Sequence, residues 1–185
     1  ASGNPVGIIN PRLSAFRTPE SDFYTAAFAM AARELSRLDN IEYECCGSLH
    51  LITDDEKQKK FTRAIENWGW DTTHMRILDS AQASAIAGIP LHHNALYLQE
   101  GGKVSPCKLC ERYVTGLSLA SALPEADTVI YAHGAAIASD PAFVALPVHT
   151  VRGQITQVAS IAASAALKTN LCYGGYMSPA KDGLH

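Results

Sequence analysis

The sequence contains no apolar run of about 18 residues or more, so no segment of it reads as a membrane-spanning helix. Its opening, Ala1-Ser2-Gly3-Asn4-Pro5, has no basic start followed by an apolar stretch and does not read as a secretion signal. It has no initiator Met either, and it starts inside a motif, which reads as a cut. Positive charge is not in surplus: 15 Lys and Arg stand against 18 Asp and Glu, for a net charge of −3. Nucleic acid would therefore have to be met by a local patch, because phosphate neutralisation supplies most non-specific affinity. A disulfide framework is missing too. The cysteines at 45, 46, 107, 110 and 172 are odd in number and irregularly spaced, which reads as reduced thiols and a cytoplasmic compartment. Cys107-Lys108-Leu109-Cys110 has no second pair to complete a zinc site and reads as small, buried residues on one helical face. His92 and His93 are adjacent and would point to opposite faces of a strand, so no metal is expected.

What is present suits a folded chain. Apolar residues make up 47% of the 185 and charged residues 18%, which is enough for one core with a small lobe and argues against disorder. Thr18-Pro19-Glu20-Ser21 predicts a helix start, and Phe23, Ala27, Met30, Ala31, Leu35 and Leu38 follow at helical spacing toward an end near Asp39-Asn40. Residues 41–52 read as a strand or bent pair around Gly47. Thr53 is expected to cap a polar helix that closes at Trp68-Gly69-Trp70. Its acids precede its bases, as the helix dipole favours, so Lys57, Lys59, Lys60 and Arg63 read as a solvated face, with a nucleic-acid patch as the second reading. A short helix from Asp79 stops at Gly88. Ala95–Leu98 is a strand, Glu100-Gly101-Gly102 a turn, and Ser105-Pro106 another helix start. Residues 127–134 read as a buried strand ending in glycine, 146–158 as an extended segment broken at Arg152-Gly153-Gln154, 159–167 as helix or loop, and 171–179 as a hairpin. The alternation predicts an α/β fold, with α+β as the alternative.

The order of these landmarks carries more than any one of them. Ala1-Ser2-Gly3-Asn4 with Gly7 and Pro11, then the long helix, resembles the loop after the second strand in the D-amino-acid oxidase superfamily of FAD-dependent oxidoreductases. Tyr97–Gly102, Val104-Ser105-Pro106 and Leu109 resemble its substrate-lobe strand, double-glycine turn and helix. Val129–Gly134 is similar to its strand near the cofactor's phosphates, Leu146–Gln154 to its strand ending in Gly-Gln, and Leu171-Cys172-Tyr173 with Gly175-Tyr176 and Pro179 to a following hairpin. Within the superfamily the pattern is most like the branch that works on transfer RNA. The family's G-x-G-x-x-G turn does not precede Ala1, and only residues 115–126 stand where the family carries several strands.

The resemblance implies an incomplete FAD-binding domain (1–40 and 127–158) with part of a substrate lobe (41–126 and 159–185), together one compact fragment. It implies FAD as cofactor and oxidation of a secondary amine by hydride transfer, so no catalytic side-chain triad is required. Ser2, Gly3, Asn4, Ala132 and Gly134 are expected at the cofactor, and Arg152, Gln154 and Tyr176 at the substrate. Partners implied are transfer RNA, through its wobble uridine, and an upstream methyltransferase domain. Two other readings stay open: a small-amine oxidase of the glycine or sarcosine type, and a non-catalytic α/β remnant. Strands missing from a sheet would leave apolar edges, so self-association is expected.

Overall fold

The computed structural model describes residues 3–118, 120–122, 125–151 and 153–185. The chain divides into two units, residues 1–115 with 157–185, and residues 116–156.

Four helices belong to the first unit. Helix α1 (Pro19–Leu35) opens with a reciprocal capping box: Ser21 N–H donates to Thr18 Oγ1 at 3.1 Å, and Thr18 N–H donates to Ser21 Oγ at 2.8 Å. It stops before the expected Asp39-Asn40. Asn40 and Glu42 take left-handed backbone (φ 61° and 54°), a reversal that brings Ile41 back against Leu35 and Val104. Helix α2 (Asp55–Trp68) is capped by Asp54 rather than Thr53, through Lys57 N–H donating to Asp54 Oδ1 at 2.7 Å. Thr53 instead donates its hydroxyl to Asp54 Oδ2 at 3.1 Å. Helix α3 (Ser80–Ala87) has a second capping box, between Asp79 and Gln82, and helix α4 (Pro106–Val114) begins at the Ser105 cap.

The main sheet has the strand order β3 (Met75–Leu78), β4 (Ala95–Leu98), β2 (Ser48–Leu51), β6 (Asn170–Cys172), β7 (Tyr176–Met177). All neighbours are antiparallel except β2 and β6, which run parallel. Helices and strands thus mix as the α/β reading implied. Side chains alternate across the sheet. Leu96 and Leu98 meet Phe61, Ala64 and Trp68 of α2 on one face, while Ala95 and Leu49 meet Ala83 and Ala87 of α3 on the other. Strand β3 had no clear signal in the sequence because Arg76 interrupts it. Its guanidinium lies over the Tyr97 ring, 4.9 Å from the centroid, and donates to Thr72 O at 2.9 Å.

A second, two-stranded sheet pairs β1 (Gly7–Ile9) with β5 (Gly102–Val104), so the expected double-glycine turn is half strand. The two sheets meet at Asn170, which is fully buried. Its Nδ2 donates to Gly102 O at 3.0 Å and to Ser48 Oγ at 3.3 Å. This approach requires Gly101, where a Cβ would stand 2.3 Å from Ser48 Oγ and 2.9 Å from its backbone nitrogen.

The second unit corrects two expectations. Its regular elements are two short 3-10 helices, Gly134–Ser139 and Pro141–Phe143. The described residues of 127–134 and 146–158 form no strand, and Ile130 and Val151 are 85% and 89% exposed. β-branched residues favour a pleated surface only where a neighbouring strand takes up their backbone groups, and no strand among the described residues of this unit does so. The Cys107 and Cys110 expectation also fails: both are exposed, because Leu109 is the residue that α4 turns inward. Among the described residues, no helix is long and apolar enough to cross a membrane, and no cluster of His, Cys, Asp and Glu could hold a metal ion.

Candidate functional site

The first unit assembles one group around β1. The loop from Gly3 and Asn4, both exposed, enters β1 at Gly7, where a Cβ would stand 3.3 Å from Pro106 Cγ. Strand β1 delivers Asn10, whose Nδ2 donates to Cys172 Sγ at 3.3 Å. Cys172 is the ladder partner of Tyr176 across β6 and β7. The expected cofactor loop and the hairpin carrying Tyr176 are therefore joined through Asn10 and Cys172, neither of which the sequence had singled out. Lys103, between the same elements, pairs with Glu44 at 3.1 Å and donates to Pro179 O at 3.3 Å. Burial pushes the Cys172 thiol up, and the Asn10 hydrogen bond opposes this only in part. The shift disfavours the thiolate form.

Two features of this loop suit the edge of a flavin. Apart from its chain neighbours, no atom of the described residues lies within 4 Å of where a Cβ on Gly3 would stand, so the backbone there faces open space. Asn10 Oδ1 is shut off from water and has no hydrogen-bond partner among the described residues, an acceptor that a ring N–H would satisfy.

The other expected residues belong to the second unit or fall outside the description. Ala132, Gly134 and Gln154 are in the second unit, all exposed. Gly134 has φ +60° at the start of a 3-10 helix, so its turn accounts for the glycine. Nearby, Tyr131 and His133 pack against Phe143, with centroids 4.9 and 5.8 Å away. Ser2 and Arg152 lie outside the described residues. Tyr176 is 47% exposed.

A cavity of about 520 Å³ lies elsewhere in the first unit. Phe28, Ala29 and Ala32 of α1, with Tyr43 and Trp70, make its apolar wall, and Arg33, Asp71, His74 and Glu100 contribute polar groups. None of these was expected from the sequence, since they come together only when α1 packs beside the turn after α2. His74 Nδ1 is hydrogen-bonded to Glu100, and Asp71 accepts from Thr73 N–H at 2.8 Å, which holds its carboxyl below the usual range. Burial raises both Tyr43 and Cys45. The cavity is amphipathic and holds no activated nucleophile.

The family described as FAD dependent oxidoreductase (DAO) matches residues 1–122, and the chain belongs to it. FAD is the cofactor of that family. Relatives include proteins named tRNA 5-methylaminomethyl-2-thiouridine biosynthesis bifunctional protein MnmC. Those of Pseudomonas syringae pv. tomato and Nitrosospira multiformis are both 31% identical, over 209 and 215 residues, and cover all of this chain and 31% and 35% of themselves. That of Methylobacillus flagellatus is 33% identical over 210 residues, covering all of this chain and 32% of itself. The chain thus spans about a third of the length of these relatives. Each alignment runs longer than the 185 residues here, so the relatives carry stretches that this chain lacks.

Proposed function

We propose that the chain is a segment of an oxidoreductase that acts on the wobble uridine of transfer RNA, turning its carboxymethylaminomethyl group into an aminomethyl group. FAD, when bound, would supply the oxidation of the substrate's carbon–nitrogen bond, and hydrolysis of the oxidised bond would release the two-carbon arm as glyoxylate. The observation that carries this reading is the family match over residues 1–122, supported by relatives named for transfer-RNA biosynthesis along the whole chain.

The roles of the chain's own residues follow from their chemistry. The loop of Ser2, Gly3 and Asn4 borders the cofactor, and Ala132 and Gly134 serve its nucleotide end. Asn10 Oδ1, buried with no partner among the described residues, accepts from the cofactor's ring edge. Arg152 holds the substrate carboxylate through paired N–H donors, with Gln154 beside it. Tyr176 lines the substrate side from the β6–β7 hairpin. In this reading residues 1–40 and 127–158 belong to the cofactor-holding part, and 41–126 with 159–185 to the substrate lobe. The methyltransferase half is proposed to lie upstream in the whole protein, as the relatives' word "bifunctional" suggests.

The test uses the whole protein loaded with FAD and transfer RNA bearing the carboxymethylaminomethyl uridine. Glyoxylate should be released, and Arg152→Ala should lower kcat/KM by roughly 10- to 100-fold, the scale of a charge-assisted pair. No glyoxylate from flavin-saturated protein overturns the transfer-RNA substrate. Release from free glycine or sarcosine instead would move the assignment to the small-amine oxidases.

A further inference from the structure

We propose that the solvent face of α2, together with the loop before α1, is a docking surface for an unpaired stretch of RNA. The choice of RNA among polyanions rests on the transfer-RNA reading above; the surface itself rests on the following geometry.

Helix α2 buries Phe61, Ala64 and Trp68, which leaves Lys59, Lys60 and Arg63 exposed on its outer side. Lys59 and Arg63 are one helical turn apart (i, i+4), and Lys60 and Arg63 are i, i+3, so the three form one patch. None of them has a carboxylate oxygen within 4 Å among the described residues, whereas Lys57 is tied to Asp54 at 3.7 Å. Asp55, Glu56 and Glu66 stand one helical turn from the patch on the same face, and none of them pairs with it within 4 Å among the described residues. Three cations without a contact ion pair are therefore grouped on one face of a chain whose net charge is −3.

An aromatic ring is fixed beside them. Arg63 lies over Phe16, 5.9 Å from the ring centroid, yet Phe16 remains 59% exposed. An apolar ring left this open usually costs solvation, but here the loop is strapped in place. Asn67 Nδ2 donates to Ala15 O at 2.7 Å and Trp68 Nε1 donates to Ser14 O at 2.9 Å, both from the last turn of α2. Arg17 closes the other side, lying over Trp68 at 5.7 Å and paired with Asp22 at 2.9 Å. The result is a loop tied to α2 that holds an open ring next to three cations without a contact ion pair among the described residues. A base stacked on Phe16 with its flanking phosphates on Lys59, Lys60 and Arg63 satisfies both parts at once. An acidic peptide or an anionic membrane would use the cations but not the ring in this geometry.

The experiment measures binding of a fluorescently labelled anticodon stem–loop RNA to the full protein by anisotropy, without turnover. Lys59→Gln/Lys60→Gln/Arg63→Gln should weaken binding and flatten the slope of log Kd against log salt by about 2, as expected for three lost phosphate contacts on a single strand. Phe16→Ala should weaken it about tenfold with the salt slope unchanged. Thermal melts matching the parent would show that both variants are folded; the substituted groups are all exposed. Stem–loop affinity unchanged in the triple variant overturns the proposal, as does binding of polyglutamate or anionic vesicles that equals the RNA and ignores Phe16→Ala. Glyoxylate release is scored separately. Oxidation with unaltered RNA binding in the variants removes this surface alone, and RNA binding that follows the variants without oxidation removes the substrate assignment alone.

Discussion

At the scale of single residues, His50 is the side chain with the largest unexplained constraint. It sits on β2 against the Phe61 ring at 6.1 Å, and its Nε2 is buried with no hydrogen-bond partner among the described residues. Burial, helped by Lys60, pulls its pKa down to about 4. The unfolded chain binds a proton there near pH 6.5 and the folded chain only near 4, so the unfolded state holds more protons across that window. The associated stability is complete above pH 6.5 and falls as pH drops toward 4, by up to about 3 kcal/mol. Urea melts of the parent and of His50→Leu at pH 7.5, 5.5 and 4 measure it. The gap between the two should shift in favour of the variant on acidification. A gap independent of pH would mean that His50 is solvated or already charged. No feature of the sequence Ser48-Leu49-His50-Leu51 announces this, since alternation alone would have put a polar residue of β2 on a wet face.

At the scale of elements, starts and stops were the readable part. Thr18 and Ser105 do what their residue types and spacing imply, because an N-cap needs only a side-chain oxygen two or three residues from an orphan N–H, and Gly88 ends α3 in the left-handed region that glycine takes without strain. Asp79 carries both halves of the argument: it accepts from Gln82 N–H at 2.8 Å while Gln82 Oε1 accepts from Asp79 N–H at 3.1 Å. Helix α3 buries only Ala83 and Ala87, so it has little packing to spare, and Asp79→Ala should cost about 1 kcal/mol. Chemical denaturation reads this directly; a loss below about 0.3 kcal/mol would show that tertiary packing, not the cap, holds α3. The choice between Thr53 and Asp54 as cap was beyond local reading, since both have a suitable oxygen and the hydrogen bond between them settles the order. Strands were less legible. Residues 75–78 became β3 despite Arg76, and residues 127–134 stayed irregular despite Val129, Ile130 and Tyr131.

At the scale of the molecule, the two units differ in how they are held. The first has three core clusters built from both faces of the main sheet and the packing of α1. The second, residues 116–156, has short 3-10 turns, a small aromatic contact and exposed Ile130, Val144 and Val151. Local opening should be cheapest there. Brief thermolysin digestion followed by mass spectrometry is expected to find the first cuts within 116–156, with residues 1–115 still intact. First cuts in β2 or β4 would contradict this. The amphipathic cavity in the first unit, with Trp70 and Phe28 on its wall, belongs to this scale too, as no stretch of sequence contains it.

The sequence by itself determined the family, the helix caps and turns, and the alternation of elements, because each depends on residues a few positions apart or on landmarks kept in order. Only the tertiary structure decided that Asn170 locks two sheets across 68 positions, that Asn10 reaches Cys172 across 162, and which β-branched stretches found a pairing edge. A strand's backbone groups and a buried amide are satisfied by whatever lies opposite, and the residue opposite is set by the path of the whole chain.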